Sequence, residues 1–176
     1  MKPRNYKKLE KYMKRVIDLR NFIDNIENQL IKGRGKWIAE FNESFINYSL
    51  DNLVFPLVVR GQTRSKGFLL SRLFAYLAMP NYLVSCFVYP SEINSYLKKE
   101  KLKILLREIS KMMKKNNVKW SWLIIPKEGE FNQRIIKWVE KNDLSNIGIA
   151  LVNLNTKNIL TNNSVIGRKI KTISKF

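Results

Sequence analysis

The chain has 176 residues, 45% of them apolar, which suits one globular domain with a real core and argues against a disordered chain. It carries 33 Lys and Arg against 14 Asp and Glu, a net charge of +19 divided as +8 over residues 1–88 and +11 over residues 89–176. Such a charge favours polyanionic partners, nucleic acid first and an anionic membrane surface second. Because there is no His and only one cysteine, Cys86, the sequence excludes His-based triads, internal disulfides and a structural zinc site.

The first predicted element is a long amphipathic helix over residues 5–31. Four apolar residues recur in it at heptad spacing, which indicates a packing seam. The seam residues are Leu9, Val16, Ile23 and Leu30. Two interpretations fit: the helix packs on its own domain, or it is an arm that forms a homodimer through these four residues. We assign residues 1–50 to an N-terminal helical region and residues 51–176 to an α/β domain, together one globular unit.

The remaining elements alternate between helices and short apolar strands, the pattern of an α/β sheet covered by helices. A second helix is predicted over 36–49, where aromatic residues from Trp37 to Tyr48 fall along one side. Strands are predicted at 53–59, 82–90, 118–126, 147–155 and about 158–161, and helices at 64–78, 92–116 and 130–141. The predicted fold is a mostly parallel or mixed sheet of four or five strands flanked by helices.

The loop after the first strand, Arg60-Gly-Gln-Thr-Arg-Ser-Lys66, is the best local candidate for phosphate contact. Thr63 or Ser65 can cap the following helix, and the free N–H groups of a helix start favour an anion. The GxxxxGK[ST] spacing of a nucleotide-binding loop is absent, so a solvated basic turn is the alternative. The candidate contacts are Arg60, Gln62, Thr63, Arg64, Ser65 and Lys66. In a parallel sheet, loops 60–66, 90–94 and 126–130 would share the carboxyl edge, where such sheets bind ligands.

Two further groups of cations are candidates for contact with a nucleic-acid backbone. One is a stripe with a spacing of four residues on helix 92–116, and a solvated helix face is its alternative. Its members are Lys99, Lys103, Arg107, Lys111 and Lys115. The other lies near the end of the chain, where cations alternate with Ile170 and Ile173 in an edge strand or a basic arm. Its members are Arg168, Lys169 and Lys171.

Acidic residues are few, and no catalytic spacing is evident among them. The candidate catalytic carboxylates are Glu40, Asp51, Glu92 and Glu128, and three carboxylates, Glu92, Glu128 and Glu130, cluster at the predicted strand-end edge. Carboxylates at the ligand-binding edge of a sheet can hold Mg²⁺ together with substrate phosphates. We therefore expect Mg²⁺ only if the protein is a nuclease, and no cofactor otherwise.

Residues 92–160 consist of a long basic helix, then WSWLIIPKEGE, a short helix and NIGIALVNLNTKNIL. This order resembles the restriction-endonuclease-like PD-(D/E)xK superfamily, many members of which follow the catalytic strand with a helix, a strand ending in Pro and a "GI-apolar" strand. The resemblance implies an acid and a Lys on the strand YLVSCFVYP, which has neither. It therefore implies a degenerate site that binds nucleic acid without cleaving it.

The leading prediction is thus a DNA- or RNA-binding protein that uses phosphate-backbone contacts. A metal-dependent nuclease with an atypical acidic site is one alternative, and a structural or assembly protein that dimerises through its first helix is another. No N-terminal segment resembles a signal peptide and no apolar run is long enough to span a bilayer, so we expect a cytoplasmic location.

Overall fold

The structure is a computed structural model that describes residues 3–63, 82–91 and 97–173. In these ranges it shows an α/β fold in which four α-helices flank a six-stranded sheet with the order β1-β2-β3-β4-β5-β6. The helices are α1 (Pro3–Ile31), α2 (Lys99–Lys115), α3 (Gln133–Lys141) and α4 (Val165–Ile173), and a 3-10 helix spans Arg34–Trp37. The strands are β1 (Glu40–Leu50), β2 (Leu53–Gln62), β3 (Leu83–Val88), β4 (Val118–Lys127), β5 (Ile147–Asn153) and β6 (Ile159–Thr161).

The sheet is mixed. Strands β3, β4 and β5 run parallel, and helices α2 and α3 make the crossovers that parallel neighbours require. Strand β2 is antiparallel to both β1 and β3, and β6 is antiparallel to β5. The predicted α/β class and flanking helices are confirmed, with six strands in place of four or five.

The additional strand is β1, and the predicted helix over 36–49 is wrong. Its aromatic spacing fits one side of a helix, but residues 40–50 pair with β2, from Glu40 opposite Gln62 to Leu50 opposite Leu53. A two-residue turn joins the two strands, and its first residue, Asp51, has a positive φ of 50° that Asp tolerates better than most residues. The ladder of hydrogen bonds outweighs the local helical pattern.

Helices cover both faces of the sheet, and each face has its own core. Helices α2 and α3 pack on one face, where Leu105 and Val139 meet Phe55 and Leu123. The second half of α1 and helix α4 pack on the other face. Helix α2 begins at Lys99, later than the predicted start at 92, and residues 92–96 and the predicted helix at 64–78 lie outside the described residues.

The C-terminal segment forms helix α4, which corrects the prediction of an edge strand or a basic arm. Its alternating cations and isoleucines also fit a helix, because Ile166 and Ile170 lie one turn apart and pack on the second core. The indole Nε1 of Trp122 donates a hydrogen bond to the Ile166 carbonyl oxygen over 2.9 Å. Helix α4 comes close enough to β5 that a Cβ added at Gly148 would lie 2.8 Å from the backbone nitrogen of Gly167.

The buried side chain of Asn162, just before helix α4, makes hydrogen bonds to the backbone of three other residues. Its Oδ1 accepts a hydrogen bond from the Ile149 N–H over 2.9 Å. Its Nδ2 donates to the carbonyl oxygens of Asn142 and Ile147 over 3.1 and 3.2 Å. Asn162 is 0% exposed, so its side chain makes these bonds from the protein interior.

Helix α1 is buried at one end and bare at the other. Ile26 and Leu30 are each 1% exposed in the second core. Nearer its N-terminus, the helix has four exposed apolar side chains: Tyr12, Met13, Val16 and Ile17. The predicted seam is therefore divided, with Leu30 in the core, Ile23 half-buried and Val16 exposed, while the side chain of Leu9 lies outside the described part.

None of the helices in the described ranges is both long and apolar enough to cross a membrane. The single cysteine, Cys86, is buried on β3, and burial raises the pKa of its thiol. A free cysteine in this position packs as a small apolar residue of the core.

Candidate nucleic-acid interface

The loop that begins at Arg60 does not share an edge with the other two predicted loops. Because β2 runs antiparallel to β3, the end of β2 lies beside the start of β3, with Gln62 opposite Leu83. The loops after β3 and β4 lie at the other edge, where the parallel strands end. The prediction of one common ligand edge for 60–66, 90–94 and 126–130 is therefore wrong for 60–66.

Arg60 is held by aromatic side chains of the β1–β2 hairpin. Its guanidinium carbon lies 4.9 Å from the ring centre of Phe45 and 5.1 Å from that of Tyr48, which are cation–π distances. Its Nη2 donates a hydrogen bond to the Tyr48 hydroxyl over 2.7 Å. A half-buried guanidinium with these contacts stabilises the hairpin and has little freedom to meet a phosphate.

Thr63 is hydrogen-bonded to Tyr82 just beyond the end of β2. Its N–H donates to the Tyr82 carbonyl oxygen over 2.8 Å, and its hydroxyl accepts from the Tyr82 N–H over 3.0 Å. Gln62 is exposed at the end of β2, and Arg64, Ser65 and Lys66 lie outside the described residues. The described part of this loop offers one exposed polar side chain for a phosphate and no free cation.

Helix α2 presents the strongest cluster of positive charge that the structure describes. All five predicted stripe residues are exposed, opposite the face that packs on the core; they are Lys99, Lys103, Arg107, Lys111 and Lys115, and we call them the α2 ridge. A spacing of four residues separates successive members by about 6 Å along the helix axis. The ridge is therefore about 24 Å long, and it winds by about 160° around the helix, because each step of four residues advances by about 40°.

Glu108 modifies the middle of the α2 ridge. Its carboxylate is 5% exposed and accepts hydrogen bonds from Lys111 Nζ over 2.9 Å and from Arg107 Nε over 2.8 Å. The pKa of Glu108 is lowered to about 2. The largest cause is the hydrogen bond from Lys111, followed by those with Arg107 and Asp51. Glu108 is thus charged at neutral pH and partly balances two members of the ridge.

Other cations extend the positive surface at the end of α2. Lys114 and Lys119 are exposed on either side of the turn that joins α2 to β4, next to Lys115. Sequence reasoning missed Lys114 because it departs from the spacing of four residues, and Lys119 because it lies beyond the end of the helix, although the run Lys114-Lys115 followed by Lys119 was a usable signal. At the other end, Lys99 Nζ lies 6.0 Å from the ring centre of Trp138.

The cations of α4 are exposed but belong to a different surface. Arg168, Lys169 and Lys171 lie on a helix that packs on the opposite sheet face from α2. The structure therefore does not unite the predicted cations into one binding surface. A rigid duplex lying along the α2 ridge would not reach α4.

The candidate carboxylates are also dispersed. Glu40 begins β1 and Asp51 directly follows its last residue, so the strand separates them by about 33 Å, the length of its ten residue steps. Glu128 forms an ion pair with Arg15, whose Nε is 2.6 Å from Oε2, and Glu92 lies outside the described residues. Within the described ranges, no three acidic, His or Cys side chains are grouped so that they could hold a metal ion.

Comparisons with protein families, with characterised proteins and with solved structures found no match for this chain. The elements that carry the PD-(D/E)xK resemblance are present in the expected order, namely α2, β4, α3 and β5. The strand before them, β3, is buried and carries no acid or Lys. The resemblance remains a prediction, and so does its implication of a degenerate site.

Proposed function

We propose that this protein binds nucleic acid through phosphate-backbone contacts along the α2 ridge, without cleaving it. The observation that carries the proposal is the exposed, regularly spaced set of cations on α2, next to Lys114 and Lys119. Helix α2 holds seven cations and two carboxylates, and one of these carboxylates, Glu108, is buried. An extended row of cations suits a regularly charged polymer better than a compact anion.

The contacts proposed here position a backbone and do not read a sequence. The ridge consists of Lys and one Arg on a helix whose other side is fully engaged with the core. Such contacts to phosphate carry no base information by themselves. The dispersed carboxylates supply no constellation for cleavage, which favours binding over a nuclease function among the described residues.

The test removes two ridge charges that make no contact elsewhere in the described structure. The variant is Lys103→Gln with Lys115→Gln, and binding is measured by fluorescence anisotropy on duplex DNA and single-stranded RNA from 50 to 300 mM salt. For duplex DNA the slope of log K against log salt should become shallower by about 1.8, the value for two lost phosphate contacts. At 0.1 M salt this corresponds to roughly 60-fold weaker binding.

The matched control is Arg168→Gln with Lys171→Gln, which removes the same charge from α4 on the opposite face. Its slope should stay within about 0.5 of that of the unchanged protein, because these cations are remote from the ridge. Equal effects of both pairs would assign the binding to net charge alone and contradict the ridge. A flat salt dependence, or no binding at 50 mM salt, would contradict nucleic-acid binding altogether.

A second observation favours self-association, and we infer that the bare end of α1 pairs with a second copy of the chain. Tyr12, Met13, Val16 and Ile17 are between 44% and 57% exposed on neighbouring positions of the helix. The apolar side of α1 that enters the core at Leu30 continues towards the N-terminus through Ile23, Val16 and Tyr12. Beyond the core, this apolar surface is exposed. Pairing with a second copy would remove this apolar surface from water, which stabilises the dimer.

Multi-angle light scattering on the full chain tests this pairing. We expect the mass of two chains at 0.3 M salt, where repulsion between copies is screened, and the mass of one chain after Val16→Glu with Ile17→Glu. The control is Ile46→Glu with Val54→Glu, which changes two equally exposed apolar residues of the β1–β2 hairpin, 60% and 55% exposed. This control should remain a dimer, and a monomeric unchanged chain would rule out the pairing.

A further inference from the structure

A cavity of about 690 Å³ lies between α1 and the carboxyl ends of β4 and β5. Its volume is within the range of small-molecule sites, and its position is the edge where α/β sheets bind ligands. Helix α1 forms one wall, the turn after β4 contributes Glu128, and the turn after β5 contributes Asn155 and Lys157. It lies on the sheet face opposite α2, so it is separate from the α2 ridge.

The base of the cavity is apolar and its walls are polar. Phe22, Val152 and Leu154 supply the apolar part of the lining, and Phe22 and Val152 are 7% and 1% exposed. Asn21 and Asn25 lie one turn apart on the α1 wall, together with Lys14 two turns earlier. Within the described ranges, these three polar side chains make no hydrogen bond or ion pair, and Asn25 is half-buried in that condition. Unengaged amides beside an apolar base are what a ligand with a flat ring and polar edges requires.

Charge is distributed so that an anionic group is favoured at the mouth. Lys14 on α1 and Lys157 after β5 line the cavity from its two walls. The carboxylate of Glu128 is paired with Arg15 over 2.6 Å, so it opposes an incoming anion less than a free carboxylate would. The exposed Asp18 is able to accept hydrogen bonds from sugar hydroxyls.

We propose that this cavity binds a nucleoside phosphate. The ring lies on Phe22 and Val152, Asn21 and Asn25 donate to and accept from its polar edge, and Lys14 and Lys157 hold the phosphate. An amide is the side chain that pairs with the two neighbouring polar atoms of an adenine edge. A simple phosphate ion would use the cations and leave the apolar base and the amides without a partner.

Isothermal titration calorimetry of the full chain with AMP, GMP, CMP, UMP and inorganic phosphate tests the proposal. We expect at least one nucleotide to bind at least about tenfold more tightly than inorganic phosphate, because the ring contacts add to the charge contacts. Lys14→Gln with Lys157→Gln should weaken that nucleotide by about tenfold or more. Asn25→Asp, which preserves the size of the side chain, should weaken it by a similar factor by replacing an amide donor with a carboxylate.

The control pair is Lys137→Gln with Lys141→Gln on α3, which removes the same charge from the sheet face opposite the cavity and should leave nucleotide binding within twofold. A loss that is equal in both pairs, or phosphate binding as tight as any nucleotide, would overturn the proposal, as would the absence of binding at 1 mM. A 5′-phosphorylated single-stranded tetranucleotide distinguishes the two sources of this chemistry. If the tetranucleotide competes with the free nucleotide and Asn25→Asp abolishes this competition, the site is assigned to strand ends. If the tetranucleotide does not compete, the site is assigned to free nucleotides.

Discussion

Replacement of Asn162 by alanine is expected to lower the free energy of unfolding by about 3–5 kcal/mol, since it leaves up to three buried backbone groups unpaired. The affected groups are the N–H of Ile149 and the carbonyls of Asn142 and Ile147. Each unsatisfied buried group costs about 1–3 kcal/mol, and the amide N–H is the most costly of them. Urea unfolding followed by tryptophan fluorescence measures the change.

The neighbouring Asn163 supplies the matched control. It is exposed and makes no hydrogen bond in the described structure, so Asn163→Ala should change the unfolding free energy by less than about 0.5 kcal/mol. Asn162→Asp is informative as an intermediate case, because it keeps the acceptor for Ile149 and loses both donors. If Asn162→Ala costs less than 1 kcal/mol, the three bonds do not have the role described here.

Replacement of Gly148 by valine is expected to destabilise the protein by about 3 kcal/mol, at the upper end of the cost of overpacking a core. A Cβ at Gly148 would lie 2.7 Å from Trp122 Cδ1 and 2.9 Å from Gly167 Cα. Backbone atoms of α4 cannot move aside as a flexible side chain would, so the helix itself must shift. The shift would also disturb the hydrogen bond from Trp122 to the Ile166 carbonyl, and thermal unfolding measures the loss.

Two further variants determine whether the cause is the close approach of α4. Gly148→Ala should have a smaller effect in the same direction, since it introduces one carbon instead of three. Ser44→Val introduces a β-branched residue at an exposed position of edge strand β1 and should be nearly neutral. A stability of Gly148→Val equal to that of the unchanged protein would show that α4 accommodates the added side chain.

The buried strands and helices were predictable because their patterns were strong. The β-branched runs of β2 to β5 have few alternatives, and the amphipathic spacing of α2 and the second half of α1 matches the observed packing. The exposed state of the α2 ridge also followed from its spacing alone. These features depend on neighbours within a few residues along the chain.

The wrong predictions concern residues whose structure is set by contacts with distant parts of the chain. Residues 40–49 have a helical aromatic spacing, and only their pairing with β2 makes them a strand. The direction of β2 could not be read from its own apolar run, so Arg60 was assigned to the wrong edge. Its contacts with Phe45 and Tyr48 depend on the same unpredicted hairpin.

The candidate site shows the same division. Local spacing indicated which cations of α2 are exposed, but it could not show that Glu108 is buried between Arg107 and Lys111. Nor could it show that α2 and α4 lie on opposite faces, since that follows from crossovers and sheet order. The pairing of Glu128 with Arg15 joins residues that are more than a hundred positions apart.

The direct pairing of Gln62 with Leu83, and of Thr63 with Tyr82, has a consequence for the connection between β2 and β3. Two antiparallel strands that close in this way need only a short turn between them. The pairing at this end of β2 and β3 therefore sets only a short minimum length for the connection between the two strands. The register of β2 against β3 is fixed instead by the paired residues themselves, from Leu57 opposite Val88 to Thr63 beside Tyr82.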